Sequence, residues 1–205
     1  MKSSVPIFLI AAAILFSAAY TAAQIKNVRV DNPNTHDAEE VSISINTKDP
    51  QYIAAGANIR YFFSSSDMGN TWNQSFMFSR YGVWGDPCLL YDGEGNLYFT
   101  HLSYPPDSIG YWIDRIVVQK STDNGLSWTP GAGIGFNRPK EQDKPWMGVD
   151  LSSSKFKGNL YLAWTEFDSY GSRNPADSTR ILFSASSDQG ETWSDPVRVS
   201  DKGGN

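Results

Sequence analysis

Ser65-Ser66-Asp67-Met68-Gly69-Asn70-Thr71-Trp72 recurs as Ser121-Thr122-Asp123-Asn124-Gly125-Leu126-Ser127-Trp128 and again as Ser186-Ser187-Asp188-Gln189-Gly190-Glu191-Thr192-Trp193. The shared pattern, Ser-x-Asp-x-Gly-x-Thr/Ser-Trp, has the chemistry of a tight hairpin. The short side chains of Asp67, Asp123 and Asp188 accept hydrogen bonds from backbone amides just ahead of them, and Gly69, Gly125 and Gly190 supply a positive φ that other residues resist. The Thr or Ser hydroxyl can close the turn. Trp72, Trp128 and Trp193 then open the next strand, where a large ring suits a wedge between neighbouring sheets.

Working outward from these turns, each repeat reads as four strands. Glu40 to Ile45 alternates polar and apolar residues, the period of a half-buried strand. Tyr52 to Ala57, Ile59 to Ser64 and Trp72 to Phe78 follow. The second repeat gives Asp86 to Asp92, Leu97 to Thr100 and Arg115 to Gln119, and the third gives Asp143 to Asp150, Gly158 to Trp164 and Arg180 to Ser184. The turn aspartates, Asp67, Asp123 and Asp188, stand 56 and 65 residues apart, the size of a four-stranded unit with loop insertions. A β-sandwich of hairpins is the competing architecture, but it does not explain why the same turn and Trp return once per four strands.

The repeated octapeptide is an Asp box, and over roughly residues 38–200 the chain resembles the sialidase-like family of β-propellers, also called BNR-repeat proteins. The resemblance implies an all-β fold of four-stranded blades, with three blades present as the N-terminal part of a six-bladed ring. Three blades do not close a ring, since propellers have roughly four to eight. The missing blades are therefore expected from a longer chain or a partner. The resemblance also places the boxes on the face opposite substrate, giving Asp67, Asp123 and Asp188 a structural role. The same follows from their chemistry, because a carboxylate that holds its own turn is not free to titrate or bind.

The N-terminus is a different kind of segment: Lys2, an apolar run from Val5 to Ala19, and the small residues Thr21-Ala22-Ala23 before Gln24. This pattern predicts a secretory signal peptide over 1–23, cleaved after Ala23, with the protein secreted, periplasmic or on the cell surface. The apolar run falls short of the roughly 20 residues a membrane span needs. Residues 24–37 form a lead-in, with a strand expected at Ile25 to Val30, and the blades occupy 38–205. Cys88 is the sole cysteine, so no internal disulfide forms. The net charge of −5 becomes −6 without residues 1–23, which carry one lysine and no acid. Nucleic acid and anionic membrane, which demand a basic surface, are poor partners.

Candidate binding groups lie on the long loops 79–86, 102–114, 129–145 and 165–179. They carry Arg80, Tyr81, Trp84, Tyr104, Tyr111, Trp112, Arg138, Glu141, Glu166, Asp168, Tyr170 and Arg173. Extended loops on a rigid scaffold are where binding groups are placed. Arg80, Trp84, Arg138 and Glu166 are the expected sugar contacts, since aromatic planes stack on sugar rings and arginine holds a carboxylate by paired hydrogen bonds. Asp86 and Asp143 each open an innermost strand and would face the central channel, with Glu40 at the equivalent place in the first repeat. Two readings of them stay open. A carboxyl at a crowded channel mouth has its pKa raised and can serve as a glycosidase acid; equally, Asp before Pro caps a blade-connecting turn, and repetition favours scaffold.

Other signals are weaker. Asp92-Gly93-Glu94-Gly95-Asn96 resembles a calcium loop faintly, but Ser103 stands where a terminal Glu belongs, so a hairpin turn is expected. His36 and His101 lack the spacing of a metal site. No cofactor is indicated. Asn73-Gln74-Ser75 matches a glycosylation sequon.

Sialidases, as the resemblance implies, hold the sugar carboxylate with three arginines and use a Tyr–Glu nucleophile and an Asp acid. Their Phe/Tyr-Arg-Ile-Pro motif before the first box is missing; only Arg29 and Arg60 precede it, while Arg115-Ile116 and Arg180-Ile181 continue into Val117 and Leu182. The Tyr nucleophile and later arginines would lie beyond Asn205, so residues 24–205 alone are expected not to cleave a sialoside. Two functions remain open: an exported glycoside hydrolase of exo-α-sialidase type acting on a glycan or glycoconjugate, and a non-catalytic propeller that binds glycan or protein.

Overall fold

A computed structural model describes residues 27–36, 38–106 and 112–204. The signal peptide, its cleavage site after Ala23, Tyr111 and Asn205 lie outside the described residues. Among those described there is no helix long and apolar enough to cross a membrane.

Alternating and fully apolar runs separated by turn residues form twelve strands in three four-stranded antiparallel sheets, each in chain order. The first holds β1 (Ser42–Ile45), β2 (Ile53–Ala57), β3 (Tyr61–Ser65) and β4 (Asn73–Phe76). The second holds β5 (Cys88–Tyr91), β6 (Leu97–Leu102), β7 (Ile116–Ser121) and β8 (Ala132–Ile134), and the third β9 (Glu141–Val149), β10 (Leu160–Phe167), β11 (Thr179–Ser186) and β12 (Val197–Arg198). These are three propeller blades. Two expectations need correction. Residues 27–30 form no strand, although Val30 packs on the first sheet. The segment 129–145 is not all loop, because β8 and the start of β9 lie inside it.

The inner strands lie side by side and are stitched through side chains. The Leu89 and Tyr91 amides of β5 donate to the hydroxyls of Ser42 and Ser44 on β1, at 3.0 and 2.9 Å. Likewise the Met147 amide of β9 donates to the Cys88 thiol at 3.3 Å. Cys88 is buried, and its sulfur serves the junction between the second and third blades.

Each Asp box joins the third strand of a blade to the fourth. Asp67, Asp123 and Asp188 accept from the amide of the Thr or Ser four residues on, at 2.8–3.0 Å, and from its hydroxyl as well. The leading Ser donates to the same carboxylate and accepts from the Gly amide. Positive φ falls not on the Gly alone but also on Met68, Asn124 and Gln189 before it, at 57–60°, so two successive left-handed residues make the reversal.

The box tryptophans are half-buried and work between blades. Trp128 sits edge-on to Phe62 of the first blade (5.2 Å) and Phe99 of its own (6.0 Å). A Cβ on Gly125 would lie 2.3 Å from the Phe62 ring, so glycine is needed for contact as well as for φ. Trp193 packs in the same way on the cluster of Tyr98, Val118 and Leu160 between the second and third blades. Trp72 packs on the cluster of Ala55, Ala57 and Phe63, with no further blade in front of it among the described residues. At the opposite end, Phe183, three residues before its box like Phe62, is half-buried, with Tyr161 as its one aromatic neighbour among the described residues. The protein thus offers a wedge on one flank and a seat on the other.

Candidate functional site

The site begins where the inner strands begin. Glu40 and Asp86 each stand two residues before an inner strand with φ of 51°, kinking the chain out of the blade connection. In the third blade the kink falls on Lys144 (φ 50°), one residue past Asp143. Here β9 starts early, and its register against β10 shifts between Ala163 and Thr165, a bulge that re-aims the strand. Asp143 and Lys144 therefore share the role assigned to Asp143 from sequence. The Lys144 ammonium lies 3.6 Å from Glu40 and 3.7 Å from Asp86, and the Lys144 amide donates to Asp143 at 2.8 Å.

Asn58, just past β2, ties two of these groups together. Its amide nitrogen donates to Glu40 at 2.9 Å, and its oxygen accepts from the Asp86 backbone amide at 2.7 Å. Gly85 makes room for it, because a Cβ there would approach the Asn58 oxygen to 2.4 Å. Burial pushes the Asp86 carboxyl up to about 7, helped by a hydrogen bond with Glu40 and by the charge of Asp143, with Lys144 opposing. Glu40 is held below its ordinary value, first by that same hydrogen bond and then by Asn58 and Lys144. The proton of the pair rests on Asp86, whose side chain is 13% exposed against 42% for Glu40, since desolvation penalises the more buried charge.

These groups line a cavity of about 260 Å³ together with Trp84, Trp112, Ile113 and Tyr170. The rings form a continuous wall: Trp84 stacks on Tyr104 (4.8 Å) and meets Trp112 edge-on (5.7 Å), and Trp112 meets Tyr170 edge-on (5.5 Å). Glu141 fixes Tyr170 by accepting from its amide at 2.9 Å. The negative charge of Asp143 raises the Tyr170 phenol. A protonated carboxyl beside an ionised one, under an aromatic wall, can donate a proton to a bound oxygen and stack a sugar ring at once.

Of the residues expected from sequence, Asp86, Asp143 and Trp84 converge here. Glu40, Trp112 and Tyr170, also expected from sequence, line it too, whereas Arg80, Arg138 and Glu166 do not. Arg138 donates to Asp114 at 2.8 Å, beside Arg115 and Ser103 on the same carboxylate. Glu166 is buried and takes Arg180 at 2.6 Å, Asn137 at 2.9 Å and Lys140 at 3.4 Å. Arg80 lies exposed over the Tyr81 ring at 4.7 Å. It borders a larger groove of about 680 Å³ at the second blade's outer edge, where the one lining acid is the exposed Glu191. Asn58 and Lys144 escaped the sequence reading; a Lys between Asp143 and Pro145 was the available signal. Asp92 is spent on its turn, accepting from the Glu94 and Asn96 amides at 2.9 Å. Among the described residues, no three His, Cys, Asp or Glu side chains are placed to hold a metal ion.

The fold is shared with known proteins at low identity. An α-L-arabinanase of Penicillium chrysogenum, in complex with arabinobiose, is 20% identical, with a TM-score of 0.56 over 81% of this chain and 50% of that one. A Dyadobacter fermentans protein of unknown function gives 20%, 0.56, 81% and 56%. An α-L-arabinofuranosidase of Fusarium graminearum gives 17%, 0.54, 79% and 48%. The chain spans about half the length of these structures, and the likeness establishes the propeller fold. No family model matches the sequence, and no match is found among curated proteins.

Proposed function

We propose that the protein is an exported, glycan-directed propeller and that the cavity around Asp86 is its sugar site, with glycoside cleavage as its reaction. The observation that carries this reading is the half-buried Asp86 carboxyl, hydrogen-bonded to Glu40 and raised to about 7 by desolvation, facing a wall of Trp84, Trp112 and Tyr170. Glycoside hydrolysis needs an acid to protonate the leaving oxygen and, about 5 Å or more away, a carboxylate to assist at the sugar carbon. Asp86 is the proton donor; Glu40 shares a hydrogen bond with it and holds that proton at rest, which leaves Asp143, also in the cavity lining, as the carboxylate available for the second role. That structural neighbours include an arabinanase and an arabinofuranosidase supports a carbohydrate substrate, and the Asp boxes support the sialidase-type scaffold. The full reaction also calls for blades against Trp72 and Phe183, supplied by a longer chain or a partner.

Non-catalytic glycan binding is the second reading, favoured by the missing arginine motif. Turnover of aryl glycosides by the wild type and by Asp86→Asn, measured with binding of the matching oligosaccharides, separates the two. Binding retained and turnover lost in Asp86→Asn supports cleavage. Binding without turnover in either supports the second reading, and no glycan binding overturns both.

A further inference from the structure

The cavity has a charge character of its own. Glu40, Asp86 and Asp143 all line it, no Lys or Arg does among the described residues, and the neighbouring Lys144 ammonium already lies between Glu40 and Asp86. Recognition of a carboxylate or sulfate would require arginines with free forks. No arginine lines the cavity among the described residues: Arg115 and Arg138 are engaged on Asp114 and Arg180 on Glu166 and Asp168, while Arg80 bonds the Tyr81 hydroxyl and Arg173 is exposed on its loop. An anion entering the cavity would meet like charge in a partly desolvated space, where repulsion is screened less than in water. What the walls offer instead is ring surface, from Trp84, Trp112 and Tyr170, and hydrogen-bonding groups suited to hydroxyls. About 260 Å³ lies just below the range for drug-sized ligands, which suits one sugar ring.

We infer that this cavity takes a single uncharged sugar ring of a glycan and rejects carboxylated or sulfated sugars. The inference rests on the glycan reading proposed above and narrows it away from a sialoside. Uncharged rings leave the Lys144 bridge intact and stack on the tryptophans; acidic rings would have to break that bridge to find a cation.

The test is calorimetric or saturation-transfer titration of the full chain at pH 8. The probes are neutral methyl pyranosides and furanosides, set beside methyl glucuronide and methyl sialoside. Neutral probes are expected to bind at least about tenfold more tightly than either acid. Asp143→Asn, which removes one charge and little volume, should narrow that gap several-fold, and Trp84→Ala should weaken the neutral probes about tenfold. Equal or tighter binding of the acids overturns the inference while leaving the glycan reading standing. Binding of neither class overturns the glycan reading, and this inference with it.

Discussion

Replacing Asp86 by Asn should stabilise the protein in a strongly pH-dependent way. In the folded state the Asp86 carboxyl keeps its proton to about 7, whereas in the unfolded chain it releases it near 3.9. Between these values the folded state binds more protons than the unfolded one, so stability contributed by this group is present below about pH 4 and is lost as pH rises through 7. Each unit is worth about 1.4 kcal/mol, which sets an upper bound of roughly 4 kcal/mol. The value of about 7 already includes the opposing charge of Lys144; because the carboxyl is only partly buried and solvent screens part of the effect, about 2–4 kcal/mol is the expected range. Asn is nearly isosteric and leaves the backbone bond from residue 86 to Asn58 in place. It also keeps a donor toward Glu40. Urea unfolding followed by tryptophan fluorescence from pH 4 to 9 measures the difference directly. Wild type and variant should be similar at pH 4, with the variant gaining through neutrality. A difference that stays constant with pH, or shrinks as pH rises, would refute the assignment of the proton to Asp86.

Trp128→Ala should cost about 2–4 kcal/mol, below the full range for a buried Trp because the ring is half-exposed; Trp72→Ala should cost clearly less, since its partners lie on one flank only, and equal losses in denaturant unfolding would contradict the wedge role. Burial holds the His101 imidazole down at about 4, so the stability it permits is full above about pH 6.5 and is lost as pH falls toward 4; His101→Gln should flatten that acid limb of the unfolding profile, and an unchanged limb would exclude it. Mass spectrometry of the exported protein should find Gln24 at its N-terminus, and Met1 retained in a membrane fraction would count against the signal peptide.

The boxes were legible because everything they need is local: Ser65, Asp67, Gly69 and Thr71 bond to one another within seven residues. The strands leading into them were legible for the same reason, through alternation or short apolar runs such as Ile116-Val117-Val118. The site was legible only in part. Asp86 and Trp84 could be placed by position in the repeat, but the bulge that moves the third kink from Asp143 to Lys144 depends on pairing with β10. Asn58 matters through a partner 28 residues away. Arg138 and Glu166 have the side chains a sugar site uses, and it takes their distant partners, Asp114 and Arg180, to show them occupied in ion pairs. β8 hid in Thr129–Gly135, where glycine and proline mask any alternation.

The most direct test of the sugar site is to watch its indoles. With ¹⁵N-labelled tryptophan, each of the seven Trp residues gives its own indole signal, and each can be assigned by single substitution. On titration with a neutral oligosaccharide, the Trp84 and Trp112 signals should shift saturably while Trp128 and Trp193, in the blade junctions, stay still. Saturable shifts at Trp193, beside the outer groove, with Trp84 and Trp112 unmoved, would place the ligand elsewhere and contradict the account.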